Sequence, residues 1–111
     1  MSKPLDRTPR RLLIGHLALV AALGASPSVA ADANQGKTIA QRWCAGCHVV
    51  EQGQKSPVTD QAPPFAVIAR KPEFGADKLA VLLLAPHQNM PKLALSRSEI
   101  ADLADYISTF K

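Results

Sequence analysis

The most chemically specific feature of the chain is the run Cys44-Ala45-Gly46-Cys47-His48, which contains both of its cysteines. This C-x-x-C-H spacing is typical of covalent haem attachment. Two thiols at this spacing can lie on neighbouring faces of one helical turn and add to the two vinyl groups of a haem, while the adjacent imidazole binds the iron. We therefore predict one haem c, attached through Cys44 and Cys47 and ligated by His48.

C-x-x-C pairs also occur in zinc sites and in thioredoxin-like redox centres, but this chain fits neither use well. A structural zinc site needs four protein ligands. This chain has no third cysteine, and only His87 accompanies His48 outside the N-terminal segment. A redox dithiol is expected within a βαβ unit, and no run of β-branched residues lies near Cys44. A disulfide across so short a loop would constrain little. Haem attachment is the best interpretation.

The N-terminus has the three parts of a secretory signal peptide: a basic start, an apolar stretch and small residues at a cleavage site. These parts are Lys3, Arg7, Arg10 and Arg11, then residues 12–25, then Ser28, Ala30 and Ala31. We predict that residues 1–30 are a signal peptide, with cleavage after Ala30 or Ala31 and export to the periplasm. The alternative is an uncleaved membrane anchor, although the apolar stretch is short for a span of about 20 residues.

Residues 31–111 form the predicted mature domain, and their charge is close to balanced. Nine Lys and Arg face eight Asp and Glu there, so the net charge of +4 mostly describes the signal segment. No basic cluster is interleaved with aromatic residues, which argues against nucleic-acid binding. A domain this small has a marginal protein core, and a buried haem would complete that core.

Hydrophobic spacing predicts an all-α domain of three to four helices packed around the haem. The first helix is expected to begin with Asn34 as its N-cap and to present Ile39, Ala40, Trp43 and Cys47 on one face, with the haem motif at its end. A short helix is expected over residues 65–70 before Pro72.

Two further helices are predicted in the second half of the chain. Asp77 is a candidate N-cap for a leucine-rich helix that should be buried on most sides. Ser96 and Glu99 form a capping box for the last helix. The apolar face of that helix consists of Ile100, Leu103, Ile107 and Phe110.

Several short segments together resemble the class I cytochromes c. They are Gly36, the C-A-G-C-H run, Ala62-Pro63-Pro64-Phe65, Asn89-Met90-Pro91 and residues 103–107. The resemblance implies that the first and last helices cross at Gly36 and Tyr106. It also implies that a proline carbonyl, best matched by Pro63, accepts the Nδ1 proton of His48, although Pro63 could equally serve only to shape its loop.

Met90 is the predicted sixth ligand of the iron. The only other methionine, Met1, would leave with the signal peptide, and Met90 lies in a loop rather than on an apolar helix face. His87 is the competing nitrogen ligand. Coordination by histidine and methionine raises the reduction potential and leaves no open site on the iron, which favours electron transfer over catalysis.

The sequence therefore predicts a periplasmic one-electron carrier, not an enzyme, that exchanges electrons with redox partner proteins and takes no small-molecule substrate. Contact with a membrane is expected only through those partners unless the N-terminal segment is retained. Two alternatives remain open: a haem c subunit of a larger dehydrogenase or oxidase complex, and a haem peroxidase with a vacant sixth position.

Overall fold

A computed structural model describes residues 2, 24–26, 28–55, 62–85 and 89–111. Most of the predicted signal segment, and His87, lie outside these residues. The described residues form four helices and no strand, which confirms the predicted all-α class. The helices are α1 (Ala33–Trp43), α2 (Phe65–Ala69), α3 (Ala76–Leu84) and α4 (Arg97–Ser108).

Within the described parts of the chain, no helix has the length and apolar character needed to cross a membrane.

The first helix begins two residues earlier than predicted. Asp32, not Asn34, is the N-cap of α1, because its carboxylate accepts hydrogen bonds from the backbone N–H groups of Asn34 (2.8 Å) and Gln35 (3.4 Å). The backbone N–H of Asp32 in turn donates to Oδ1 of Asp102 on α4, at 2.8 Å. This contact with a distant part of the chain fixes the start of α1.

The expected apolar face of α1 is correct only in part. Ala40 is fully buried and Ile39 packs against the core, but Trp43 is 51% exposed. The guanidinium of Arg42 lies 5.0 Å from the centre of the Trp43 ring. Cys47 is also exposed, because α1 ends at Trp43 and the chain turns before reaching it.

The first and last helices cross in direct backbone contact at Gly36. A Cβ atom at this position would overlap the carbonyl oxygen of Asp102 and would lie 2.8 Å from Cβ of Tyr106. The absence of a side chain therefore allows α1 and α4 to approach closely. This is the crossing that the resemblance implied.

The capping box of α4 is confirmed by both of its hydrogen bonds. The Glu99 N–H donates to Oγ of Ser96 at 3.2 Å, and the Ser96 N–H donates to the Glu99 carboxylate at 2.7 Å. These bonds lower the pKa of Glu99. On the predicted apolar face of α4, Leu103 and Ile107 are buried, while Ile100 and Phe110 are partly buried and pack against the core.

The start of α3 also differs from the prediction. Gly75 is the N-cap, and Asp77 lies in the first turn, where its carboxylate interacts favourably with the positive end of the helix dipole. An acidic residue near a helix start can fill either role, so the sequence alone did not distinguish them.

The prediction that α3 is buried on most sides is wrong. Leu79 and Leu83, one turn apart, are buried, while Val81 and Leu84 are 62% and 79% exposed. Only the stripe that contains Leu79 and Leu83 joins the core cluster, because residues at this spacing share one face of a helix.

Candidate functional site

The C-x-x-C-H run forms a turn that continues directly from the end of α1. The N–H groups of Cys44 and Ala45 both donate to the carbonyl of Ala40, at 2.9 and 3.0 Å. The N–H groups of Cys47 and His48 both donate to the carbonyl of Cys44, at 3.1 and 2.8 Å. The two cysteines therefore belong to one compact turn, and no disulfide joins them.

The two thiols have different surroundings. Cys44 is buried and Cys47 is exposed. Burial, with a smaller contribution from the neighbouring Cys47, raises the pKa of Cys44 to about 11. Before haem is attached, Cys44 is therefore a neutral thiol near pH 7, the form that a poorly solvated sulfur favours.

His48 is almost completely buried, with 7% of its surface exposed. Its Nδ1 lies 2.7 Å from the carbonyl oxygen of Pro63. A carbonyl can only accept, so Nδ1 carries the proton and donates it, which leaves the Nε2 lone pair free to bind a metal. The ring of Phe65 packs at 5.7 Å between centroids.

The segment that carries Pro63 is fixed to the segment that follows the haem motif. The N–H of Phe65 donates to the carbonyl of Val49 at 2.9 Å. Phe65 is buried at the start of α2, so its packing and this hydrogen bond together hold the Pro63 carbonyl opposite the imidazole.

Gln54 makes an unpredicted contribution to this site. Its side-chain amide nitrogen donates to the carbonyls of Ala45 (3.1 Å) and His48 (2.9 Å), and its amide oxygen accepts from the N–H of Val50 (2.8 Å). Gly53, with φ of 77°, precedes it in a backbone conformation that favours glycine. No local pattern in the sequence identified the partners of Gln54.

Tyr106 connects the same loop to α4. Its hydroxyl donates to the carbonyl of Val50 at 2.7 Å. Both polar backbone groups of Val50, which is fully buried, are therefore bonded to side chains. Burial is the main cause of the raised pKa of Tyr106, while the positive charge of Lys37 opposes it.

Met90 lies on the other loop, immediately after Asn89, whose φ is 67°. Met90 is half-buried and packs against the core cluster. The structure thus joins His48 and Pro63 by a hydrogen bond, places Cys44 and Cys47 on one turn, and locates Met90 on a separate segment. The competing ligand His87 is outside the described residues.

Residues 31–107 match the family model described as cytochrome C oxidase, cbb3-type, subunit III, and the chain belongs to this family of cytochrome c domains. The chain is also similar to "Cytochrome c-552" of Bradyrhizobium diazoefficiens, with 47% identity over 95 residues that cover 86% of this chain and 90% of the relative. No solved structure shows significant similarity to the chain. The chain is a small c-type cytochrome, its cofactor is covalently bound haem c, and it acts in electron transfer with redox partner proteins.

Proposed function

We propose that this protein is a periplasmic one-electron carrier whose haem iron is ligated by His48 and Met90. The hydrogen bond between Nδ1 of His48 and the Pro63 carbonyl is the observation that carries the proposal. It fixes the tautomer and the orientation of a buried imidazole and leaves Nε2 available, as a histidine ligand requires.

The residues of the site fit a covalently attached haem. Cys44 and Cys47 lie on the same turn as His48 and are not joined in a disulfide, so each can form a thioether bond to the porphyrin. Met90 has a soft thioether donor in a half-buried position. When bound, the haem supplies one-electron redox chemistry. Pro63 contributes its backbone carbonyl, which accepts the hydrogen bond from Nδ1 of His48.

Ligation by Met90 is the part of the proposal that separates a carrier from an enzyme. A thioether and an imidazole together fill both axial positions, which raises the reduction potential and leaves no site for peroxide. We therefore infer that the protein is not an enzyme. Among the alternatives, a peroxidase requires a sixth position that is vacant or exchanges readily.

The proposed location follows from the N-terminal sequence. We infer that residues 1–30 direct export and are removed after Ala30 or Ala31, so that the haem domain of residues 31–111 acts in the periplasm. The test is the N-terminal sequence of the purified holoprotein. A chain that begins near Ala31 and appears in the periplasmic fraction supports the proposal, whereas an intact N-terminus in the membrane fraction indicates an anchor.

Redox stoichiometry and peroxidase activity test the proposed function directly. The holoprotein should take up one electron per chain in a reductive titration and should not oxidise a dye with hydrogen peroxide. Peroxidase turnover by the wild-type protein would identify an enzyme. Wild-type haem should also stay on the protein in acidified organic solvent, because the thioether bonds survive extraction.

A second candidate function is a haem c subunit of a larger oxidase or dehydrogenase assembly. The exposed apolar side chains of α3, which include Val81, Leu82 and Leu84, favour it, because several large apolar side chains exposed on one short helix can contribute to an interface. Affinity purification from the native membrane would distinguish the two roles. Stoichiometric recovery in a stable complex indicates a subunit, and recovery as a free protein indicates a carrier.

A further inference from the structure

Gln54 has the contacts expected of a residue that positions the haem-binding turn. Its amide group uses both of its donors and one acceptor lone pair, and all three partners are backbone groups of residues 45–50. Two of these partners, Ala45 and His48, belong to the C-x-x-C-H run itself. Gln54 is half-buried, and an incidental surface contact would not be expected to use three hydrogen-bonding positions of one amide group.

The backbone of His48 is fixed on two sides. Its N–H donates to Cys44 within the turn, and its carbonyl accepts from Gln54. The imidazole is held separately by Pro63. The two backbone hydrogen bonds set the direction of the Cα–Cβ bond of His48, and the hydrogen bond to Pro63 sets the rotation of the ring about its side-chain bonds. The plane of the imidazole depends on both, so the hydrogen bond from Gln54 to the His48 carbonyl contributes to ring orientation.

The contacts of Gln54 also connect this turn to the rest of the fold. The amide oxygen holds the N–H of Val50, while Tyr106 of α4 holds the Val50 carbonyl. Gln54 itself lines a surface groove of about 650 Å³, whose walls include Val49, Pro64 and Tyr106. Loss of the Gln54 side chain would extend this groove towards the carbonyls of Ala45 and His48 and would admit water there.

We propose that Gln54 is a positioning residue for the axial ligand His48, which it orients through the His48 carbonyl while it separates the haem-binding turn from solvent. This inference rests on the proposed ligation of iron by His48. Greater access of water favours the more highly charged oxidised haem, so loss of Gln54 should lower the reduction potential.

The test compares Gln54→Ala and Gln54→Glu with the wild-type holoprotein. Glutamate keeps the size of the side chain and an acceptor for Val50, but at neutral pH it places carboxylate oxygens against the carbonyls of Ala45 and His48. Gln52→Ala and Gln52→Glu are matched controls, because Gln52 is an exposed glutamine in the same loop. The measurements are the paramagnetically shifted haem methyl resonances of the oxidised protein, which report the plane of the axial imidazole, and the reduction potential.

Both Gln54 variants should displace the haem methyl resonances and lower the potential, while both Gln52 variants keep the wild-type values. The positioning role is refuted if the Gln54 variants lose only thermal stability and keep the wild-type resonances and potential. If Gln54→Ala yields no holoprotein, Gln54→Glu decides between these results. A wild-type spectrum without histidine and methionine ligation would instead refute the proposed function, before any variant is compared.

Discussion

Gly36 of α1 and Tyr106 of α4 lie at the crossing of the two helices, where a Cβ atom on Gly36 would be 2.8 Å from Cβ of Tyr106. The hydroxyl of the same Tyr106 donates a hydrogen bond to the carbonyl of Val50, which follows closely after the haem-binding turn. The helix crossing and the haem-binding loop therefore depend on one another.

Gly36→Ala should destabilise the holoprotein by about 3 kcal/mol, the upper end of the usual cost of overpacking, because the new methyl group meets the backbone of Asp102, which cannot move aside as a flexible side chain could. Denaturant unfolding followed by the haem absorption measures the change. Gly75→Ser is the matched control: Gly75 has extended backbone with nothing within 4 Å of a Cβ atom, and serine is a good N-cap. Equal stability of Gly36→Ala and wild type would contradict the close crossing.

Tyr106→Phe should lower the free energy of unfolding by about 1–3 kcal/mol, because it leaves the carbonyl of the buried Val50 without its partner. The effect of pH gives a second check. The raised pKa of Tyr106 means that the folded protein holds the phenolic proton more tightly than the unfolded chain does. The contribution of this proton to the free energy of unfolding is complete below the ordinary tyrosine pKa of about 10, and it is lost as the pH rises through the pKa of Tyr106 in the folded protein.

Unfolding measured from neutral to strongly alkaline pH separates that contribution. Wild-type stability should decline above the ordinary tyrosine pKa, and Tyr106→Phe should lack the part of the decline that this phenol causes. Identical alkaline profiles for the two proteins would show that Tyr106 titrates alike in both states.

Met90→Ala should abolish the weak near-infrared sulfur-to-iron band of the oxidised protein and lower the reduction potential, since the thioether ligand is removed. The variant should also bind carbon monoxide more readily, because its sixth position opens. His87→Ala is the control and should keep the band. The opposite pattern, with the sixth ligand lost in His87→Ala, would assign ligation to His87.

Electron transfer to the natural partner should depend only modestly on salt. Residues 31–111 contain nine basic and eight acidic side chains, so they lack the one-sign excess that steers strongly charged carriers. The second-order rate is to be measured between about 0.01 and 0.15 M ionic strength, over which the Debye length falls from about 30 to 8 Å. A decrease of a hundredfold or more would reveal a clustered charge patch.

Local signals in the sequence predicted the local structure well. The capping box of Ser96 and Glu99 is formed by residues that are close along the chain, so the start of α4 was predicted correctly. The C-x-x-C-H run predicted haem c for the same reason, because the chemistry depends on a short spacing. The family match confirms that cofactor.

Features that depend on distant contacts were predicted poorly from local spacing, although the family resemblance implied the crossing at Gly36 and Tyr106. Asp32 and Asn34 are both good N-caps, and the contact between Asp32 and Asp102 on α4 holds the start of the helix at Asp32. The leucines of α3 are equally apolar, and packing against the rest of the fold selects Leu79 and Leu83 for burial. Spacing along a single chain does not contain this information.

The role proposed for Gln54 could not have been predicted from spacing for the same reason. Its partners are backbone groups brought together by the turn after α1, and a glutamine in a polar loop resembles its exposed neighbour Gln52 in the sequence.

The most direct test of the proposed electron carrier is the visible and near-infrared absorption spectrum of the wild-type holoprotein in both oxidation states. Ligation by His48 and Met90 predicts a low-spin, six-coordinate haem in both states, with the sulfur-to-iron band present when oxidised and absent when reduced. A high-spin spectrum, or an oxidised form without that band, would contradict the proposed ligation and would favour an iron that is open to other ligands.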